Sequence, residues 1–293
     1  MTFKSALVTG GGRGIGAAIS KRLAARGANV IVNYLSNKES AEIVVSEIKA
    51  RKDAAGHLAG GSGGDALAIQ ADVRDANQVQ RMVYEGIKQY GNIDILVSNA
   101  NVSQYRLKPF LETTWDDFSQ RFADEMKAAY EVTRAILPSM IKKHYGKLIY
   151  ITSGSARYTM PNGAIAFATA KSGLVTFSRY IAQEFGREGI TANVVAPGLT
   201  ETDANVYMPQ EAKQQIASLT ALGRVGKPED VAGAVAFLAS DDSNFMTGTY
   251  TPVDGGFVQL GDQNMIYRQR LFRELISVND DEYKRCIGMR DNG

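Results

Sequence analysis

The stretch Thr9-Gly10-Gly11-Gly12-Arg13-Gly14-Ile15-Gly16 decides the fold of this 293-residue chain. It follows a short apolar run at residues 6–8 and precedes a segment whose apolar residues recur at helical spacing. A glycine-rich turn between a strand and a helix is typical of a dinucleotide site, because the helix N-terminus offers amide donors to a phosphate. We expect Gly10 and Gly14 to permit the sharp turn, and Gly16 to permit close packing of the helix on the sheet.

Five further apolar runs continue the pattern, at residues 30–32, 67–69, 95–97, 148–151 and 192–195. Runs that are apolar at every position suit strands covered on both faces. Segments of helical period separate them, so the order β-α-β repeats. The sequence therefore predicts an α/β fold with a doubly wound parallel sheet of the Rossmann type. We expect one dinucleotide-binding domain at residues 1–260, a glycine-rich surface loop at 53–65, and a C-terminal extension at 261–293.

The composition argues against several classes of function. Lys and Arg number 33 and Asp and Glu 31, a near balance that disfavours a nucleic-acid or acidic-membrane binder. The sequence shows neither a membrane-spanning run nor a secretion signal. One cysteine, Cys286, and two distant histidines, His57 and His144, offer neither an internal disulfide nor a metal-ligand cluster. We expect a cytoplasmic protein without a metal centre.

The end of the second predicted strand indicates which dinucleotide binds. Sites for NAD place an acidic residue there, which hydrogen bonds the ribose 2′-hydroxyl and repels a 2′-phosphate. Here the segment is Asn33-Tyr34-Leu35-Ser36-Asn37-Lys38, which contains no acid, and Arg13 adds a cation. We therefore expect NADP as the cofactor, with NADPH preferred over NADH, and expect Asn33 and Ser36 to contribute to its site.

Further motifs resemble those of the classical short-chain dehydrogenase/reductase family, and among its members the ketoacyl carrier-protein reductases. The resemblance runs from about Lys4 to about Val258. It implies that Asp72 and Val73 contact adenine, that Asn99 and Ala100 follow the fourth strand, and that residues 197–202 contact the nicotinamide end. The complete expected cofactor-binding set is Gly10, Arg13, Gly14, Ile15, Gly16, Asn33, Ser36, Asp72, Val73, Asn99, Ala100, Lys171, Pro197, Gly198 and Thr202.

The resemblance also implies a partner class and an assembly. It implies a small-molecule or carrier-bound carbonyl substrate. It further implies a homodimer or homotetramer, in which helices at residues 115–137 and 163–185 pack between subunits. Both segments contain apolar residues.

The reacting centre implied by the resemblance is altered in this chain. The family uses a tyrosine four residues before a lysine to protonate the substrate oxygen, a serine to orient the substrate, and an asparagine in a proton relay. Lys171 is present, but Phe167 occupies the tyrosine position, and alignment puts Glu125 at the asparagine position. We expect Glu125 to pair with Lys171. A segment about one residue longer than usual leaves the serine open between Ser153 and Ser155.

Two neighbouring positions add to this departure. Asn101 stands where a glycine normally lies beside the cofactor. Tyr158 is a candidate for a replacement hydroxyl, and its alternative interpretation is a loop tyrosine that covers the sheet edge. The candidate catalytic set is thus Ser153, Phe167, Lys171, Glu125 and Tyr158.

Three functions remain open at this point. The first is an NADPH-dependent oxidoreductase with an atypical active site that reduces a ketone or a conjugated enone or enoyl substrate, since hydride addition to a conjugated acceptor gives an enolate that hydrogen bonds stabilise. The second is an ordinary carbonyl reductase that carries an engineered tyrosine-to-phenylalanine change at position 167. The third is a non-catalytic NADP-binding sensor or partner protein.

Overall fold

The computed structural model describes residues 4–50, 64–101, 108–159 and 163–257. The predicted extension at 261–293, most of the predicted loop at 53–65, Cys286 and His57 lie outside the described residues. The division of the chain at residue 260 stays a prediction.

A parallel sheet of seven strands forms the centre of the described chain, in the order β3-β2-β1-β4-β5-β6-β7. The order reverses between β1 and β4, and in such sheets ligands bind outside the carboxyl ends of the strands at this point. The six predicted strands are confirmed, and a seventh was missed. The strands are β1 Ser5–Val8, β2 Asn29–Tyr34, β3 Ala66–Gln70, β4 Ile95–Ser98, β5 Gly146–Ile151, β6 Ile190–Pro197 and β7 Tyr250–Val253.

Helices cover both faces of the sheet, and the sheet separates two apolar cores. Successive strand side chains point to opposite faces, so Leu7 enters the core formed with α3, α4 and α5, whereas Val8 enters the core formed with α1, α2 and α7. This arrangement confirms the doubly wound α/β fold. The helices are α1 Gly14–Ala25, α2 Lys38–Ala50, α3 Ala76–Tyr90, α4 Trp115–Lys143, α5 Ile165–Phe185, α6 Gln210–Ser218 and α7 Pro228–Leu238.

The helix α4 is longer than predicted. The expected helix ends at Leu137, and the following Pro138 lacks the N–H that a helix interior needs. The structure instead continues the helix through Pro138 to Lys143 and ends it at His144, whose φ is 50°. Leu137 and Met140 are buried, and their packing keeps the last turns helical despite the missing hydrogen bond.

No helix in the described ranges combines the length and apolar character needed to cross a bilayer. The same ranges hold no group of three or more His, Cys, Asp or Glu side chains arranged to bind a metal ion.

Candidate active site

The glycine-rich turn lies at the carboxyl end of β1 and leads directly into α1. Gly10 and Gly14 have φ values of 61° and 50°, a region that glycine adopts without strain. A Cβ on Gly16 would collide with the carbonyl oxygen of Gly10. It would also come within 2.7 Å of the Nδ2 of Asn99, which follows β4, so the missing side chain lets α1 pack closely on the turn and on the end of the sheet, as expected.

Buried polar side chains hold the turn from the sheet side. The Oδ1 of Asn33 accepts a hydrogen bond from the Gly10 N–H at 3.2 Å, and Asn33 is 2% exposed. The Nδ2 of Asn99 donates to the carbonyl oxygen of Thr9 at 2.9 Å, while the Thr9 hydroxyl oxygen accepts from the Asn99 N–H at 2.9 Å. The amide of Asn33 thus supports the turn, and the expected contact of Asn33 with the cofactor stays a prediction.

A cleft opens between the turn and the ends of β2 and β3. Seven residues of the predicted cofactor set line it: Gly10, Arg13, Asn33, Ser36, Asp72, Val73 and Ala100. Eight further lining residues lie outside the predicted cofactor set: Gly12, Tyr34, Leu35, Asn37, Ser40, Ala71, Arg74 and Asn101. The N–H of Ser40 donates to Asn37 Oδ1 at 3.0 Å, so the first turn of α2 borders the cleft. Hydroxyl groups, amides and a helix N-terminus suit a phosphate.

Arg74 ties this cleft to α4. Its Nε and Nη2 donate to the two carboxylate oxygens of Asp72 at 3.0 and 2.8 Å, and its Nη1 donates to Asp124 on α4 at 3.2 Å. The Arg74 side-chain hydrogen bond is the main cause that holds the pKa of Asp72 below its ordinary value. Arg74 thus fixes the side chain of Asp72, which is expected to contact adenine. The only feature of the sequence that pointed to Arg74 is its position two residues after Asp72.

A buried charge cluster connects α4 and α5, and we call it the Arg121–Glu125–Lys171 cluster. Lys171 Nζ donates to Glu125 Oε1 at 2.6 Å and to the carbonyl oxygen of Ile151 at 3.2 Å. Arg121 Nη2 donates to the other carboxylate oxygen, Oε2, at 3.2 Å and to Asn101 Oδ1 at 3.3 Å. The predicted pairing of Glu125 with Lys171 is confirmed. Arg121 was missed, although its spacing of four residues from Glu125 placed both on one helix face.

The ring of Phe167 lies close to both cations of this cluster. The Cζ of Arg121 is 5.1 Å and the Nζ of Lys171 is 5.8 Å from the ring centroid, within the range of cation–π attraction. Because a phenyl ring carries no ionisable proton, Phe167 cannot act as a general acid.

The loop after β5 carries the other candidates. Ser153 precedes the short 3₁₀ turn Gly154–Ala156, and its Oγ accepts from the Ser155 N–H at 3.3 Å. Ser155 is 5% exposed, and its Oγ has no hydrogen-bond partner among the described residues. The ring of Tyr158 packs on Phe257 with centroids 5.1 Å apart, and its hydroxyl lies over Gly154. Tyr158 therefore covers the turn.

The residues expected at the nicotinamide end gather at the same edge of the sheet. Pro197 ends β6 and Gly198 follows it. A Cβ on Gly14 would approach the Cγ2 of Thr202 to 3.3 Å, so the segment after β6 lies against the glycine turn. Arg13, expected as a cation in the cofactor site, lies 3.8 Å from a carboxylate oxygen of Asp203, with both side chains largely exposed.

Comparison with known proteins agrees with this geometry. Residues 10–258 match the family described as enoyl-(acyl carrier protein) reductase. The 3-oxoacyl-[acyl-carrier-protein] reductase FabG of Staphylococcus aureus is 38% identical over 254 residues, which cover 86% of this chain and 97% of the relative. The 3-oxoacyl-[acyl-carrier-protein] reductase of Synechocystis is 35% identical over 259 residues, or 88% of this chain and 98% of that protein.

Two solved structures are similar to this chain in both fold and sequence. A short-chain dehydrogenase/reductase from Serratia marcescens superposes with a TM-score of 0.75 at 36% identity, covering 87% of this chain and 97% of that one. A blue fluorescent protein from a metagenomic library, in complex with NADPH, superposes with a TM-score of 0.76 at 38% identity, covering 87% and 98%.

Proposed function

Because this chain belongs to the short-chain dehydrogenase/reductase family, we propose that it is an NADPH-dependent oxidoreductase whose active site works without the family's tyrosine. The observation that carries the proposal is the Arg121–Glu125–Lys171 cluster packed around Phe167. The cluster retains the family's lysine as Lys171. Phe167 replaces the tyrosine that acts as the acid, and Glu125 replaces the asparagine of the proton relay. The substrate is therefore one whose reduction does not depend on a proton from residue 167.

The described residues fit an NADP dinucleotide. A side chain at Gly10 or Gly14 would strain the left-handed backbone of the turn, so the turn stays open to a pyrophosphate at the start of α1. At the end of β2, Ser36, Asn37 and Ser40 line the cleft, and the segment 33–38 holds no carboxylate to repel a 2′-phosphate. The blue fluorescent relative in complex with NADPH supports the same choice.

The reaction we propose is reduction of a carbon–carbon double bond conjugated to a carbonyl group. NADPH, when bound, supplies the hydride, which adds to the β-carbon and leaves NADP⁺. The electrons of the double bond move to the carbonyl oxygen, which gives an enolate, and water then protonates the α-carbon. Losing a positioned general acid costs about 10²- to 10⁴-fold for a substrate that needs one, whereas this acceptor takes its proton after hydride transfer.

The chain's own residues have distinct roles in this scheme. Lys171 is held by Glu125 and the Ile151 carbonyl oxygen, so its ammonium has a fixed position for the cofactor ribose. Ser153 is half-buried whereas Ser155 is buried, which favours the Ser153 hydroxyl as the group that orients the substrate carbonyl. Tyr158 is assigned no catalytic role, since it covers the turn after β5.

Reduction of a carrier-bound 3-oxoacyl thioester is the second candidate, since two of the relatives carry that name. A lone tyrosine-to-phenylalanine change in an ordinary reductase explains the cluster less well. Glu125 and Arg121 both contact the altered centre, so the departure involves several residues that fit one another. The third possibility is a non-catalytic binding protein. It accounts for the retained Lys171 only if Lys171 is kept for its contacts with the cofactor.

The proposed function is tested by following NADPH oxidation with conjugated enones, enoyl thioesters, simple ketones and 3-oxoacyl thioesters. The wild type is compared with Phe167→Tyr and with the control Phe237→Tyr, which adds the same hydroxyl on the exposed surface of α7. Turnover of conjugated substrates by the wild type supports the proposal. Ketone reduction that appears only in Phe167→Tyr supports an ordinary reductase with a lost acid, and inactivity of all three proteins contradicts an enzymatic function.

We also propose that the protein is a homo-oligomer. Large aromatic side chains are exposed on α4 and α5, with Trp115, Tyr130 and Tyr180 at 75%, 45% and 71% exposure. Apolar surface of this kind is typical of protein contacts. Sedimentation velocity of the wild type and of Tyr180→Asp tests this, with a smaller species expected for the variant; a monomeric wild type contradicts it.

A further inference from the structure

We propose that Arg121 supplies the anion-binding group of the active site, where the substrate oxygen carries its negative charge after hydride addition. The inference rests on the proposed function and deepens it, because it names the group that takes over from the missing hydroxyl. It also narrows the substrate class to acceptors that form a delocalised enolate.

The charge balance of the cluster is the first argument. Arg121, Glu125 and Lys171 are 7%, 5% and 6% exposed. Each cation takes one oxygen of the same carboxylate, Oε1 for Lys171 and Oε2 for Arg121. These three side chains carry two positive charges and one negative charge, and an anion beside them is attracted more strongly than in water because the surroundings are less polarisable.

The position of the guanidinium is the second argument. Its Cζ lies 5.1 Å from the ring centroid of Phe167, the residue at the position of the family's tyrosine. Its Nη2 also donates to Asn101, an exposed residue that lines the cofactor cleft. Arg121 is thus one side chain away from the cleft and adjacent to the place where the family carries its acid.

The chemistry of arginine sets the substrate class. A guanidinium stays protonated in proteins, so it stabilises negative charge but does not transfer a proton. The alkoxide formed from a simple ketone is strongly basic and needs a proton at once. An enolate spreads its charge over oxygen and carbon and persists until water protonates it. The Arg121 site therefore favours conjugated carbonyl acceptors over simple ketones.

The test uses 4-nitrophenol, whose ionised form mimics an enolate oxygen and absorbs at a longer wavelength than the neutral form. Titration into the wild type saturated with NADP⁺ is expected to show preferential binding of the phenolate. Arg121→Gln is expected to weaken phenolate binding by about 10- to 100-fold, the loss typical of a hydrogen bond to a charged group. Arg121→Lys keeps the charge and is expected to retain part of the affinity.

The matched control is Arg134→Gln on the same helix. Arg134 is exposed and donates to the Tyr130 hydroxyl at 3.3 Å, so its loss is expected to leave phenolate binding unchanged. Urea denaturation of each variant first establishes that it is folded. Should Arg121→Gln fail to fold, the wild-type preference for phenolate over neutral phenol and the Arg121→Lys titration still decide the question.

The outcomes separate this inference from the proposed function. Equal affinity for the neutral and ionised probe, or unchanged phenolate affinity in folded Arg121→Gln, overturns the inference even where enones are reduced. Phenolate binding that depends on Arg121, without turnover of any conjugated substrate, supports the anion site and contradicts the proposed reaction. Enone reduction together with Arg121-dependent phenolate binding supports both.

Discussion

Replacement of Glu125 by glutamine should destabilise the protein strongly. The substitution keeps the side-chain volume but removes the charge that Lys171 and Arg121 share, at 2.6 and 3.2 Å. Both cations would then remain buried and repel each other. Breaking a buried ion pair by removing one partner typically costs about 3–5 kcal/mol. With about 2–4 °C per kcal/mol for a domain of this size, the melting temperature should fall by about 6–20 °C.

The assay is urea denaturation followed by circular dichroism, with the melting temperature measured in parallel. The control is Glu42→Gln, which removes the same charge from the exposed pair of Lys38 and Glu42 on α2, 3.3 Å apart. An exposed pair of this spacing is worth about 0.3–0.5 kcal/mol, so the control should scarcely change stability. The double variant Glu125→Gln, Lys171→Met should recover part of the loss, because the unpaired ammonium is removed as well.

A loss in the free energy of unfolding for Glu125→Gln that is no larger than the loss for Glu42→Gln would refute this expectation. That result would mean that water or a structural adjustment solvates the two cations as well as the carboxylate does. Failure of the double variant to recover any stability would instead show that Arg121 alone accounts for the loss.

Three further predictions concern the cofactor site and acid stability. Gly16→Ala should weaken NADPH binding in a fluorescence titration by about tenfold or more, because its Cβ would collide with the turn; Gly233→Ala, with no atom within 4 Å of its Cβ, should bind NADPH normally. Ser36→Asp should lower affinity for NADPH more than for NADH, by repulsion of the 2′-phosphate, and an equal loss for both would contradict the site. Hydrogen bonds from Arg224 are the main cause that lowers the pKa of Asp230 to about 2, so Asp230 stabilises the fold above about pH 4 and loses this effect as the pH falls toward 2. Urea midpoints of Asp230→Asn and wild type should therefore differ above pH 4 and converge toward pH 2; a constant difference would contradict the assignment.

Most of the fold was predictable because the inner strands are apolar at every position. Val30, Leu96 and Leu148 lie in runs that only a sheet covered on both faces buries. The strand β7 was not predicted because it lies at the sheet edge, contains Pro252 and has no fully buried side chain. The end of α4 was not predicted because the packing of Met140 outweighs the local effect of Pro138. The packing of Met140 depends on the whole fold.

The candidate site was predictable where one motif position implied another. Glu125 and Lys171 occupy positions that the family brings together, and the structure joins them. Arg121 and Arg74 were missed although each has one partner nearby in sequence, because their contacts with Asn101 and with Asp124 join separate parts of the chain, and a single sequence does not give those distances. Asn33 lines the cleft as expected of its position, but its hydrogen bond to the Gly10 N–H could not be predicted, because the direction of an amide depends on the neighbouring turn.

Asp124 and Glu125 are consecutive on α4, yet Asp124 binds Arg74 beside the cleft and Glu125 binds Lys171 in the buried charge cluster. Neighbouring helix positions differ by about 100° in direction, so the rotation of α4 about its axis is fixed at two points. A drift of the helix that improved one of these contacts would weaken the other. A substitution on this helix that shifts one contact should therefore require a second substitution that restores the other. An insertion of a single residue before position 124 would misalign both contacts at once.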